Sequence, residues 1–224
     1  MKNQVTDNPE KNRAFNWLTI LSGLMVACYL TSNIMAVKLV DINGITSFDA
    51  GTITFPLAYM LGDVLTEIWG FKTSKKVIYL TFICNIFLIF FTYLGLFLPS
   101  PEYTADIDSA YALIFSYTPR ILLASLIAFI FGEISNAWVM EKIKKITKGK
   151  FLFVRTILSS AVGYAFDTTL FVIIAYVGNV PFSDIITMIL MQYIIKMLIE
   201  TLCSTPLAYG AIAFLKKKVE NNDD

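Results

Sequence analysis

Phe55-Pro56-Leu57-Ala58-Tyr59-Met60-Leu61-Gly62-Asp63-Val64-Leu65-Thr66-Glu67-Ile68-Trp69-Gly70 is apolar enough to enter a bilayer, yet it carries two carboxylates four residues apart. That spacing places Asp63 and Glu67 on one helical face, with Tyr59 one turn earlier. An acid at mid-membrane depth costs roughly 2.5–3.5 kcal/mol on insertion scales. A helix bearing two of them must turn that face toward protein or a wet cavity. The stretch therefore predicts a membrane protein with a polar interior.

Composition agrees. Of 224 residues, 56% are hydrophobic and the net charge is only +1, so no global attraction to nucleic acid is implied. There is no histidine, which excludes histidine triads, histidine metal ligands and a histidine proton relay. Cys28, Cys84 and Cys203 lie far apart inside apolar runs. They read as buried small hydrophobes and not as a disulfide or metal framework. No catalytic residue, metal site or cofactor is expected.

Outward from that stretch, apolar runs alternate with polar connections. Residues 1–14 form a polar tail, and the first span covers about 17–37, ending near Ser32 and Asn33. Residues 38–54 are not helical in pattern, and Asn43-Gly44 between short apolar runs signals a hairpin. The second span covers about 55–70, with Pro56 in its first turn. A basic loop at 71–76 leads to a third span at about 77–98. A short interfacial helix near 108–116 precedes a fourth span at about 119–141, capped by Thr118. The fifth span is about 156–178. The Gly178-Asn179-Val180-Pro181 turn and a Ser183 cap lead to the sixth, about 184–214, which Pro206 should kink.

Charge sorts these connections. The tails and the 71–76 and 142–155 loops are basic, whereas 38–54, 99–118 and 179–183 are neutral or acidic. The positive-inside rule then gives six spans with both termini cytoplasmic. The fold class is an all-α integral membrane protein with six transmembrane helices and a short hairpin-like outer loop between the first two. One transport domain, 15–218, lies between short tails at 1–14 and 219–224.

The intramembrane ionisable set is Asp63, Glu67, Arg120, Glu133, Asp167, Lys196 and Glu200. Lys196 and Glu200 are one turn apart and can pair within one helix. Arg155 can reach Glu133 from the cytoplasmic side. Acids outnumber bases, so some must be protonated or bound to a ligand rich in donors. The plain alternative is that the charges are structural pairs, and Arg120 could simply snorkel. Trp17 and Trp69 read as interfacial anchors. Gly23 and Ala27 form a small-residue pair suited to close helix contact. The 38–54 segment reads as a lid or a static plug, with Phe48 over the ligand and Asp49 fixing the loop's return.

Several motifs resemble one family. They are Phe48-Asp49-Ala50-Gly51, Phe55-Pro56, Gly62-Asp63-Val64-Leu65-Thr66-Glu67-Ile68-Trp69-Gly70, Arg120 with Ala124-Ser125, and Gly132-Glu133-Ile134-Ser135-Asn136. Further on come Thr147-Lys148-Gly149-Lys150, Arg155-Thr156, Ser159-Ser160, Gly163 with Asp167-Thr168, Lys196, Glu200, Thr205-Pro206 and Tyr209. Together they resemble the queuosine precursor transporter family, also called the vitamin uptake transporter family, from Ser32-Asn33 onward. The resemblance implies a six-helix importer of 7-deazaguanines or queuine, serving tRNA-modification salvage. It also implies a fold similar to the substrate-binding subunits of energy-coupling-factor transporters. Some branches lack acids at the positions of Glu67, Glu133 and Glu200. The candidate substrate-binding residues are Asn33, Phe48, Tyr59, Asp63, Glu67, Arg120, Glu133, Asn136, Asp167, Lys196, Glu200 and Tyr209. A deazaguanine offers adjacent donors that a carboxylate accepts, and a carbonyl that Lys196, Arg120 or Asn136 could meet.

A secondary transporter in the bacterial inner membrane is the leading function. A binding subunit for a vitamin or nucleobase that needs a separate ATPase module is the alternative; the chain carries no Gly-Lys-Ser/Thr phosphate loop. An intramembrane enzyme is disfavoured, because Asp63 and Glu67 share one helix and no nucleophile–base arrangement is evident. Expected partners are a small nucleobase-type substrate and membrane lipid, with proton coupling and a homodimer left open, and no nucleic acid.

Overall fold

The computed structural model describes residues 9–42, 46–115, 119–178 and 181–219. Helix α1 (Pro9–Met35) leads to a hairpin of β1 (Leu39–Ile42) and β2 (Thr46–Asp49). Then come α2 (Gly51–Gly95), a short 3-10 turn, α3 (Ala105–Phe115), α4 (Pro119–Ile146) and α5 (Leu152–Tyr176). The chain ends with α6 (Phe182–Ile199), a π-helical turn (Glu200–Ser204) and α7 (Thr205–Val219).

Five helical segments are long and apolar enough to cross a membrane, and α2 alone has 45 residues. It does not run straight. Ser32 of α1 shares a 2.7 Å hydrogen bond with Thr54, and the adjacent Asn33 donates to Asn85 at 2.8 Å. On a straight helix Thr54 and Asn85 would stand about 46 Å apart. Helix α2 therefore folds back on itself, and the fold lies at Gly70. Its φ of 77° and ψ of 166° fall in a region open essentially only to glycine. The 71–76 segment, read above as a basic loop, is helical: Gly70 makes the reversal alone, and Lys72, Lys75 and Lys76 sit in the first turns of the returning arm.

The strands pair antiparallel, with Val40 opposite Phe48 and Ile42 opposite Thr46, which fits a hairpin. The Asn43-Gly44 turn itself lies outside the described residues, as do Thr118, Asn179, Val180 and both extreme termini. Ser183 is not a cap. Pro181 holds the N-cap position of α6 without a side-chain bond, and Ser183 pairs with Asp184 inside the first turn. The sixth span, expected to kink at Pro206, passes instead through a π turn, Glu200–Ser204, just ahead of that proline. A proline lacks the N–H and crowds the preceding turn, and the wider turn relieves both.

Apolar side chains face outward. Ile20, Leu24, Phe87, Phe90, Phe131 and Leu202 are exposed, whereas Asp63, Glu133, Arg155, Asp167 and Glu200 are buried. A core of Leu21, Met25, Tyr29, Leu61, Leu65, Phe129, Ala137, Ala208 and Ile212 joins α1, the first arm of α2, α4 and α7. Helices α4 and α5 cross closely at Gly132 and Gly163; a Cβ at Gly163 would stand 3.1 Å from the Gly132 carbonyl. Gly23 meets nothing within 4 Å and Ala27 is exposed, so that expected pair packs no helix of this chain. The cysteines are also less buried than expected: Cys28 and Cys84 are half-buried and Cys203 is exposed, all three free.

Candidate functional site

The buried polar groups fall into three tiers along the helices. The first lies at the hairpin end. There a pocket opens between α1, both arms of α2, α3, α4, α5 and α6. Phe55 and Phe171 supply aromatic walls, and Ile114, Leu88 and Ile89 add aliphatic ones. In the pocket lining Lys196 Nζ donates to Asp167 Oδ2 at 2.6 Å and to Thr168 Oγ1 at 3.1 Å. The ammonium also sits 5.0 Å from the centre of the Phe55 ring. Both charged side chains are about 95% or more buried, so the pair is shielded from solvent screening.

Uncharged polar groups continue the lining. Ser125 donates to Asn33 Oδ1 at 2.6 Å, and Asn33 Nδ2 donates to Asn85 Oδ1. That chain answers the cost of placing Asn33 inside an apolar helix. Asn85 Nδ2 and Gln192 Oε1 are buried and make no hydrogen bond of their own. They offer a donor and an acceptor to the pocket. Asp49 lines it from the hairpin and accepts from the Thr52 N–H and hydroxyl at 3.0 and 3.1 Å, which fixes the chain's entry into α2. Burial pushes the Asp49 carboxyl above its ordinary range, and the Lys196 ammonium and Thr52 bonds draw it partly back.

The second tier holds acids that form no ion pair among the described residues. Asp63 Oδ1 accepts from Asn136 Nδ2 at 2.9 Å, and Oδ2 has no donor. Glu200 accepts from Tyr164 at 2.9 Å and from Thr205 at 3.1 Å. Glu133 has no donor on either oxygen. Tyr59 packs against Tyr164 in a tilted pair, with ring centres 4.4 Å apart. Phe55, which lines the pocket, packs against Tyr59 with ring centres 6.3 Å apart.

The third tier is a charge cluster on Glu67. Arg155 donates to both its carboxylate oxygens, at 2.7 and 3.3 Å. Lys144 stands 3.3 Å away and Lys216 3.5 Å. Arg155 also donates to the Gly149 carbonyl. One carboxylate thus ties α2 to α4, α5 and α7 at the lysine-rich end.

The expected partners differ from those found. Lys196 pairs with Asp167 and not with Glu200, because α5 brings an acid directly to it while the π turn gives Glu200 to Tyr164 and Thr205. Arg155 pairs with Glu67 and not with Glu133. Asn33, Asp167 and Lys196 line the pocket; Tyr59, Asp63, Glu133, Asn136 and Glu200 form the tier beneath; Glu67 lies at the far end. Arg120 donates to the Ile174 and Val177 carbonyls, both at 2.5 Å, closing the C-terminus of α5. Tyr209 accepts from the Phe153 N–H at 3.0 Å at the other end of that helix. Phe48 is buried under the hairpin and is not among the pocket-lining residues.

Asn85, Gln192 and Ser125 line the pocket and were not singled out as site residues. The signal was available. Asn85 and Gln192 are amides inside apolar helices, and Gln192 lies one turn before Lys196. Neither amide lies in a motif that carries the family resemblance, unlike Asn33 and Asn136.

A family profile described as "Putative vitamin uptake transporter" matches residues 49–211. The chain is also similar to a protein of Bacillus subtilis (strain 168) described as "Probable queuosine precursor transporter". The two are 30% identical over 210 residues, covering 93% of this chain and 86% of the relative. No solved structure matches.

Proposed function

The chain belongs to the vitamin uptake transporter family, and from that premise we propose that it imports queuosine precursors, 7-deazaguanines or queuine, as a secondary transporter. A transporter, and not an enzyme, is what the family and the relative's description indicate. The observation that carries the substrate class is the buried Asp167–Lys196 pair in a pocket that Phe55, Phe171, Asn85 and Gln192 also line. A deazaguanine is flat and presents an N–H and an amino group side by side, next to a carbonyl. Asp167 accepts the donors, Lys196 or Asn85 donates to the carbonyl, and Phe55 and Phe171 take the ring faces. Gln192 Oε1 is left for a further N–H.

The pair bonds to itself, so substrate replaces one charge-assisted contact with several, and selectivity follows from filling both edges. The hairpin end faces outward and the Glu67 end faces the cytoplasm of a bacterial inner membrane, in keeping with the lysines gathered there. The six-span plan is the one expected to be similar to energy-coupling-factor binding subunits. The hairpin closes over the pocket from outside, with Asp49 as its fixed end.

Thermal melting of the purified chain tests the substrate class. A cyano- or aminomethyl-deazaguanine should raise the melting temperature in a concentration-dependent way, by mass action, while thiamine and riboflavin should not. Stabilisation by one of those vitamins and by no deazaguanine would contradict the assignment.

A further inference from the structure

Glu133 is fully buried, and both its oxygens lack a donor. Its carboxyl lies against Gly62: a Cβ built there would stand 2.8 Å from Glu133 Oε2. It is thus beside Asp63, whose Oδ2 is also without a donor. The other charges acting on Glu133 are Asp167 from α5 and Glu200 from the π turn, all of its own sign. Tyr59 from α2 and Tyr29 from α1 lie within its electrostatic reach, Tyr29 with its hydroxyl donated to the Ser125 carbonyl. Of the nearby bases, Lys196 is bonded to Asp167 and Arg155 to Glu67, with Arg155 Nε left unpartnered.

A second set of atoms points the same way. Asn136 Oδ1 and the Tyr59 hydroxyl are buried without partners, and Tyr59 comes up against Gly132, the residue before Glu133. Carboxylate and amide oxygens only accept, and the Tyr59 hydroxyl can donate one hydrogen, so the free oxygens of Glu133, Asp63 and Asn136 outnumber the donor beside them. A metal ion would need the acids to converge on one point, and no such group occurs among the described residues. A proton binds one oxygen at a time and needs no convergence. An isolated buried carboxylate is also far more costly than the acid, which can itself donate.

We propose that Glu133, with Asp63 beside it, is a proton-binding site that couples substrate import to the proton gradient. A proton adds to one Glu133 carboxylate oxygen, and the new O–H donates to an acceptor of the tier. The same oxygen releases the proton when the tier opens to the other side. No electron is transferred and no other bond forms or breaks. The coupling rests on the transporter reading above; the proton on Glu133 does not.

Infrared spectra of the reconstituted full chain, with gradient-driven uptake of labelled cyano-deazaguanine, test both halves. Wild type should show a carboxylic-acid C=O band at neutral pH that is lost in Glu133→Gln. An inward proton gradient should raise accumulation severalfold in wild type. In Glu133→Gln, accumulation should fall to the equilibrium level while exchange of bound substrate continues. Glu133→Met serves the same two readouts if Glu133→Gln does not fold. An unchanged band in the variant overturns the site. Accumulation that still follows the proton gradient in the variant, or that follows sodium in wild type, overturns the coupling. A chain that moves no deazaguanine under any gradient overturns the coupling too, whereas loss of the band in Glu133→Gln would still place the proton there.

Discussion

Asp63 and Glu67 are one turn apart on the same face of the same helix, yet they occupy opposite surroundings. Glu67 collects Arg155, Lys144 and Lys216. Asp63 has one amide donor and acids for neighbours, with the Arg155 charge acting on it from the Glu67 cluster. Helical spacing decides which way a side chain points. The helices that cross at that height decide what it meets. At Glu67 they bring the basic ends of α4, α5 and α7; at Asp63 they bring Glu133, Asn136 and Glu200. Two carboxylates that look equivalent in sequence therefore divide into a structural clasp and a polar interior.

The largest effect should come from the clasp. Arg155→Met leaves a buried carboxylate with two half-exposed lysines, and breaking a buried pair costs about 3–5 kcal/mol. The expected result is a steep fall in melting temperature and in monodisperse yield. The double variant Glu67→Met/Arg155→Met should recover most of it, since the remaining charge goes too. A double variant no better than the single one would show that Glu67 does more than hold helices together.

A smaller effect, on uptake and not on folding, is expected in the pocket. Asp167→Asn keeps an acceptor for Lys196, which also retains Thr168 Oγ1 at 3.1 Å, so folded protein should remain in the membrane. Uptake should fall at least about tenfold, or ~1.4 kcal/mol. Loss of the folded protein instead would make Asp167 a structural residue like Glu67.

The smallest effect is expected at Tyr209, whose hydroxyl accepts one N–H at the rim of the fold. Tyr209→Phe should change the melting temperature by the worth of one exposed hydrogen bond, about 0.5–1.5 kcal/mol at most, and leave uptake unchanged. A large loss of uptake would return Tyr209 to the substrate path.

The spans were legible because apolar runs and lysine placement report directly on the bilayer. The reversal after the second span was read as a loop at 71–76; that Gly70 makes it alone was not legible, since lysines are good helix formers and one glycine leaves no loop-like stretch to see. The pocket was half legible. Charged residues in apolar helices announce themselves, which found Asp167 and Lys196. Their pairing did not follow, because the one-turn rule describes a single helix, and α5 offered Lys196 a better acid than Glu200. Asn85 and Gln192 carry the same signal in weaker form, an amide where hydrocarbon is expected. The close crossing at Gly132 and Gly163 could not be told from Gly23 and Ala27, since small residues allow contact without specifying a partner.

The central claim is that this chain alone carries a deazaguanine through the pocket at its hairpin end. Uptake of labelled cyano-deazaguanine into liposomes holding only the purified chain tests it most directly. Saturable uptake without ATP or any partner protein, reduced at least about tenfold by Asp167→Asn, is the predicted result. No uptake unless an ATPase module is added, or uptake indifferent to Asp167, would contradict it.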